Sequence, residues 1–151
     1  MSDQPSAGRF DGTCHLLPVR VYFEDTDLSG IVYHANYLRF AERGRSDFLR
    51  LAGVHHHELA AQEPPIFFTI QRLEIDFIKP ARVDDELLIK TYVDRVSGAR
   101  LDMRQEITKA DEVLARLVVK AAIINDKGRP QRLPQQARDA LARLQDAPPQ
   151  A

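Results

Sequence analysis

The sequence predicts an α+β domain in which a curved antiparallel sheet of five strands wraps around one long central helix. Three observations carry this. One 3.6-residue apolar period runs from Tyr37 to Leu51. Segments of two-residue alternation lie on both sides of it, and the later ones are joined by turns too short for a parallel crossover. One helix laid on the apolar face of one sheet completes a two-layer core.

The first strand runs from Leu17 to Glu24, where Leu17, Val19, Val21 and Phe23 share a side. Asp25 to Gly30 breaks the alternation with loop chemistry. In the helix, Tyr37, Ala41, Gly44, Phe48 and Leu51 form the stripe, with Asn36 as N-cap and Gly53 as the stop. Gly44 lowers helix propensity by about 1 kcal/mol relative to Ala, which implies close approach to a neighbouring backbone. Next, Ile66, Phe68 and Ile70 share one parity whereas Leu73, Ile75 and Phe77 share the other, so a bulge is expected near Gln71. Leu87–Val93 and Leu101–Ile107 flank a Ser97-Gly98 turn, and Val113–Ile123 is the last strand. All three are more apolar at odd positions. A short C-terminal helix follows Pro134, with Ala137, Leu141 and Leu144 on one side. The expected division is a flexible arm over 1–15, one domain over 16–146 and a flexible tail over 147–151.

With 151 residues, 44% hydrophobic and 28% charged, the chain can bury a single core. A net charge of −1, with basic residues spread along the chain, argues against nucleic acid as partner. Cys14 is the only cysteine, so neither an internal disulfide nor a multi-thiolate metal site can form. No apolar run reaches the roughly 20 residues of a membrane span, and the N-terminus lacks the basic-then-apolar order of a secretory signal. The expected location is the cytoplasm.

Chemistry concentrates in Glu24 to Tyr37, EDTDLSGIVYHANY. Glu24, Asp25 and Asp27 stand at a strand end, beside a glycine loop and just before a helix. A carboxylate near a helix N-terminus can attack or activate water while unpaired N–H groups stabilise an oxyanion, the kit of acyl transfer. Spacing alone favours acids that serve a turn and a helix end.

The longer stretch VRVYFEDTDLSGIVYHANYLRFAERGR, continued more thinly by FIKPARVDDEL, resembles the 4-hydroxybenzoyl-CoA thioesterase family of hotdog proteins. Within it, the closest likeness is to the bacterial Tol-Pal-associated acyl-CoA thioesterases. The resemblance implies a hotdog fold and hydrolysis of an acyl-CoA, or of acyl carried on acyl carrier protein, without cofactor or metal. It implies a homodimer or homotetramer, with the substrate tunnel between two subunits. Asp27 maps onto the catalytic aspartate, as nucleophile or general base. His34 maps onto the helix-start position whose N–H faces the thioester oxygen, a histidine in that branch, with its side chain implicated in activity. Tyr33 would shape the pocket. Phe23 departs from the branch, which often has a tyrosine there.

Other candidates are weaker. Glu42 is a reserve helix carboxylate. Arg43, Arg45 and Arg50 could reach coenzyme A phosphates but suit a solvated helix face. Consecutive His55, His56 and His57 do not converge easily on one metal ion. The competing functions are a hotdog dehydratase, whose glycine- and proline-rich helix approach is missing, and an acyl-thioester or acyl-carrier binding module without turnover.

Overall fold

The computed structural model describes residues 3–146. Its strands are β1 (Arg9–Asp11), β2 (Cys14–Arg20), β3 (Phe67–Phe77), β4 (Glu86–Ser97), β5 (Arg100–Lys109) and β6 (Glu112–Ile124). They form one antiparallel sheet in the order β1-β2-β4-β5-β6-β3. The helices are α1 (His34–Leu51), α2 (His56–Ala61) and α3 (Gln135–Arg143). Long α1 packs on β2, β4 and β5.

The sheet has six strands rather than five, because Arg9–Asp11, inside the expected arm, pairs with Cys14–Leu16. His15 is fully buried there, its Nε2 2.7 Å from Asp47 Oδ2. The 147–151 tail lies outside the described residues. The first strand also ends earlier than expected: Val21 is buried, but Phe23 leaves the alternation in a 3-10 turn over Phe23–Asp25 and is 85% exposed. His56 and His57 open the short helix α2, with His55 as its N-cap.

The β4–β5 hairpin keeps the expected odd-position parity. Leu87, Ile89, Thr91 and Val93 of β4, and Leu101, Met103, Gln105 and Ile107 of β5, are all buried. The register shift in β3 falls between Ile70 and Arg72, where the change of parity predicts it. Gly53 follows the C-cap of α1 with φ +87°, a conformation that favours glycine.

Gly44 faces the sheet at close quarters. A Cβ there would lie 2.8 Å from Ile89 Cγ2, 3.0 Å from Thr91 Oγ1 and 3.1 Å from Gln105 Nε2. The close approach is thus to sheet side chains, not to another backbone. Beside it, Gln105 Nε2 donates to the Ala41 carbonyl at 2.8 Å and to Thr91 Oγ1 at 2.9 Å, and Gln105 Oε1 accepts from Arg45 at 2.9 Å. Two polar side chains on the core face are thereby satisfied, which removes the cost of burying them.

Candidate active site

The loop between β2 and α1 is tied down at each step. Val21 N–H donates to Asp85 O, and Asp84 N–H returns a bond to Val21 O. Tyr22 N–H donates to Asp25 Oδ2, closing the 3-10 turn. Thr26 then bridges to Val32, Asp27 N–H donates to Ile31 O and Gly30 N–H to Asp27 O. Gly30 takes φ +82° at this tight reversal, a backbone that a side chain rarely permits. Val32 N–H donates to Ala81 O, and Ala81 N–H donates to the hydroxyl of buried Tyr37. The stretch before β4 therefore braces both the loop and the first turn of α1.

Asp27 stands at the tip with its carboxylate in solvent. Its Oδ1 accepts the backbone N–H of Ser29 at 2.8 Å and the Ser29 hydroxyl at 2.5 Å. The serine hydroxyl first, then the backbone bond, and to a smaller degree His34, hold Asp27 below the ordinary carboxylate range. The group is therefore ionised at neutral pH, as a nucleophile or base requires.

His34 is the first residue of α1, and Tyr33 is its N-cap. The Tyr33 side chain makes no capping bond, and no acid occupies the first helical turn, so this positive helix end is not neutralised by its own residues. The rings of Tyr33 and His34 lie 4.4 Å apart. Phe77, at the end of β3, meets His34 edge-on at 6.4 Å and Tyr37 at 5.4 Å. Asp27, Tyr33 and His34 thus share one end of the molecule, where Leu28, Tyr33 and Phe77 are exposed.

Asn36 is not the N-cap. Helix α1 starts two residues earlier, and Asn36 is buried, its Nδ2 donating back to the Asp25 carbonyl at 2.8 Å. The sequence motif contains neither this bond nor the contacts of Ser29 and Phe77 at the site. The Asp-x-Ser spacing of residues 27–29 is a signal that could have found Ser29, because Asp commonly accepts a bond from the residue two positions on. Nothing local could have found Phe77, which is 43 residues away from His34 in sequence.

The reserve candidates lie elsewhere. Glu42 accepts from Ser46 at 2.6 Å and lines a groove of about 1160 Å³, together with Tyr22, Asp25, Arg43 and Arg50. That groove does not include Asp27, Tyr33 or His34. Arg45 is turned onto Gln105 and Arg50 onto Asp47, so two of the three arginines offered for phosphates already have partners within the chain. His56 packs edge-on against Phe68, 5.7 Å between ring centroids. Among the described residues, no group of three or more metal-ligating side chains converges. Among them, too, no helix is long and apolar enough to cross a membrane.

Fold and site define a hotdog protein carrying a carboxylate beside a helix N-terminus. Residues 29–116 match the sequence model of the Thioesterase superfamily. The chain is 37% identical over 128 residues to the acyl-CoA thioesterase YbgC of Haemophilus influenzae, covering 84% of this chain and 93% of the relative. It is 40% identical over 99 residues to the acyl-CoA thioester hydrolase YbgC of Escherichia coli, covering 64% and 71%. The crystal structure of a probable thioesterase from Bartonella henselae superposes with a TM-score of 0.77 at 46% identity, covering 80% of this chain and 99% of that one. The chain belongs to the thioesterase superfamily, and by that membership it is a thioester hydrolase.

Proposed function

We propose that the protein hydrolyses acyl-CoA to the free acid and coenzyme A, with Asp27 as nucleophile or general base and the start of α1 at His34 as the oxyanion site. The observation that carries this is the ionised carboxylate of Asp27, fixed by Ser29 next to an uncapped helix N-terminus. The relatives from Haemophilus influenzae and Escherichia coli, both acyl-CoA thioesterases by name, support the substrate class.

In the nucleophilic route, an Asp27 oxygen bonds to the thioester carbonyl carbon, the carbon–sulfur bond breaks and the thiolate leaves. Water then cleaves the mixed anhydride and restores the carboxylate. In the general-base route, Asp27 takes a proton from water as its oxygen attacks the carbonyl carbon, and the proton passes to the departing sulfur. Either way negative charge builds on the carbonyl oxygen, which helix N–H groups stabilise. The His34 side chain orients water, Asp27 or the thioester, and Tyr33 shapes the acyl pocket.

A homodimer is the smallest working unit in this reading, with a tetramer as a further assembly. Among the described residues, strand β3 ends the sheet with an unpaired edge of eleven residues, along which Phe67, Ile70 and Phe77 are exposed. Such an edge calls for a partner. The reaction takes place in the cytoplasm, on acyl-CoA or on acyl groups carried by acyl carrier protein.

A hydrolysis screen across acyl-CoA chain lengths, following released thiol, tests the activity. Thiol release with saturation is the expected result. Acyl-CoA binding without thiol release at any chain length would favour a binding module.

A further inference from the structure

We propose that Asn36 is a positioning residue, which fixes the loop carrying Asp27 against the start of α1. The inference rests on the reading of Asp27 given above.

Asn36 is 6% exposed, and its N–H, Nδ2 and Oδ1 each have a partner. Its N–H donates to Tyr33 O at 2.8 Å. Its Nδ2 donates to Asp25 O at 2.8 Å, and its Oδ1 accepts from Arg39 at 3.1 Å. Arg39 offers only donors, so the amide cannot turn over without setting its own NH₂ against the guanidinium. The Asp25 carbonyl also accepts Tyr33 N–H at 2.9 Å, filling both of its acceptor sites.

Asp25 lies two residues before Asp27, and Tyr33 lies one residue before His34. One carbonyl oxygen therefore gathers the reacting loop and the helix start, and Asn36 supplies the only side-chain bond in that junction among the described residues. Reacting groups must hold their geometry to within about 0.5 Å, and displacement of about 1 Å can cost about a hundredfold in rate.

Replacing Asn36 by Asp separates this role from a merely structural one. Aspartate keeps the shape and can pair with Arg39, and a negative charge in the first turn of a helix is favourable. It loses the donor to Asp25 O. The test measures kcat, KM and the thermal midpoint of Asn36→Asp, Asp27→Asn and the double variant, on the acyl-CoA that the wild type hydrolyses best. Asn36→Ala stands in if Asn36→Asp fails to fold. The expected result is a fall in kcat of about tenfold to hundredfold, with KM within about twofold. In the Asp27→Asn background the same substitution costs under about twofold, because the group it aligns is already gone. Wild-type kcat in the folded variant, or an equal loss in both backgrounds, overturns the role of Asn36 while Asp27→Asn remains impaired. Wild-type turnover in Asp27→Asn instead overturns the reading of Asp27 itself.

Discussion

Ser29 holds a single oxygen of Asp27 from two directions, with its backbone N–H at 2.8 Å and its hydroxyl at 2.5 Å. The other carboxylate oxygen carries no bond from Ser29. The arrangement stabilises the ionised form and leaves the second oxygen free of Ser29.

Substituting Ser29 by Ala removes the hydroxyl bond and keeps the backbone one. The hydroxyl is the largest influence lowering the proton affinity of Asp27, so its loss moves the carboxyl back up toward the ordinary value of 3.8. Turnover that needs ionised Asp27 should then fall off at higher pH than in the wild type, with rates near neutrality little changed. A pH–rate profile reads this directly, and an unmoved acid limb would count against Asp27 as the titrating group.

Asp27→Asn preserves shape but provides neither a nucleophile nor a base. Turnover should fall by about two orders of magnitude or more, with the fold intact by circular dichroism. A purified variant turning over like the wild type would end the assignment.

His34→Ala distinguishes side chain from backbone, because alanine retains the N–H at the helix start. A strong loss of kcat is expected if the imidazole orients water, Asp27 or the thioester. Losing an oxyanion donor costs roughly 3 to 4 kcal/mol in other enzymes, so activity within about twofold of wild type would assign position 34 to its backbone alone.

Acid should weaken the fold in two stages through the His15–Asp47 pair. Burial lowers His15 below 6.5 despite the neighbouring carboxylate, and among the described residues its buried Nδ1 has no hydrogen-bond partner that could accept an added N–H. Burial pushes Asp47 up, but bonds from Gly8, Arg50 and His15 outweigh it and hold the carboxyl below 3.8. Both groups bind protons less readily folded than unfolded. Stability is therefore complete above about pH 6.5, falls as pH drops through that value and falls again below about 3.8. His15→Gln should flatten the upper stage. Denaturant midpoints at about pH 7.5 and about pH 5.5 test this, and equal losses in variant and wild type would refute it.

Much of the sheet was legible because burial imposes parity: the odd positions of β4 and β5 and the phase change at Gln71 follow from one face meeting the helix. The β1–β2 hairpin was not legible. Three residues are too few to show a period, and a buried histidine beside Phe10 and Phe48 reads as polar surface until Asp47 is found 32 positions away. The helix start was misplaced because asparagine is a favoured cap and tyrosine is not. Here the amide serves a tertiary bond to Asp25 instead. At the candidate site, the motif located Asp27, Tyr33 and His34 on one loop and helix start. The bonds from Ser29 and the packing of Phe77 depend on chain geometry that the motif does not contain.

The glycine seat beneath α1 also has a mechanical consequence. A helix lying on Ile89, Thr91 and Gln105 with no Cβ between cannot slide along or roll about its axis at Gly44 without collision. His34 stands ten residues up the same rod, about 15 Å away at 1.5 Å per residue. Gly44 thus acts as the datum from which the His34 end of the helix is measured. Lifting the rod at that point tilts its far end, and a smaller residue in place of Ile89 is the change that would let it settle back.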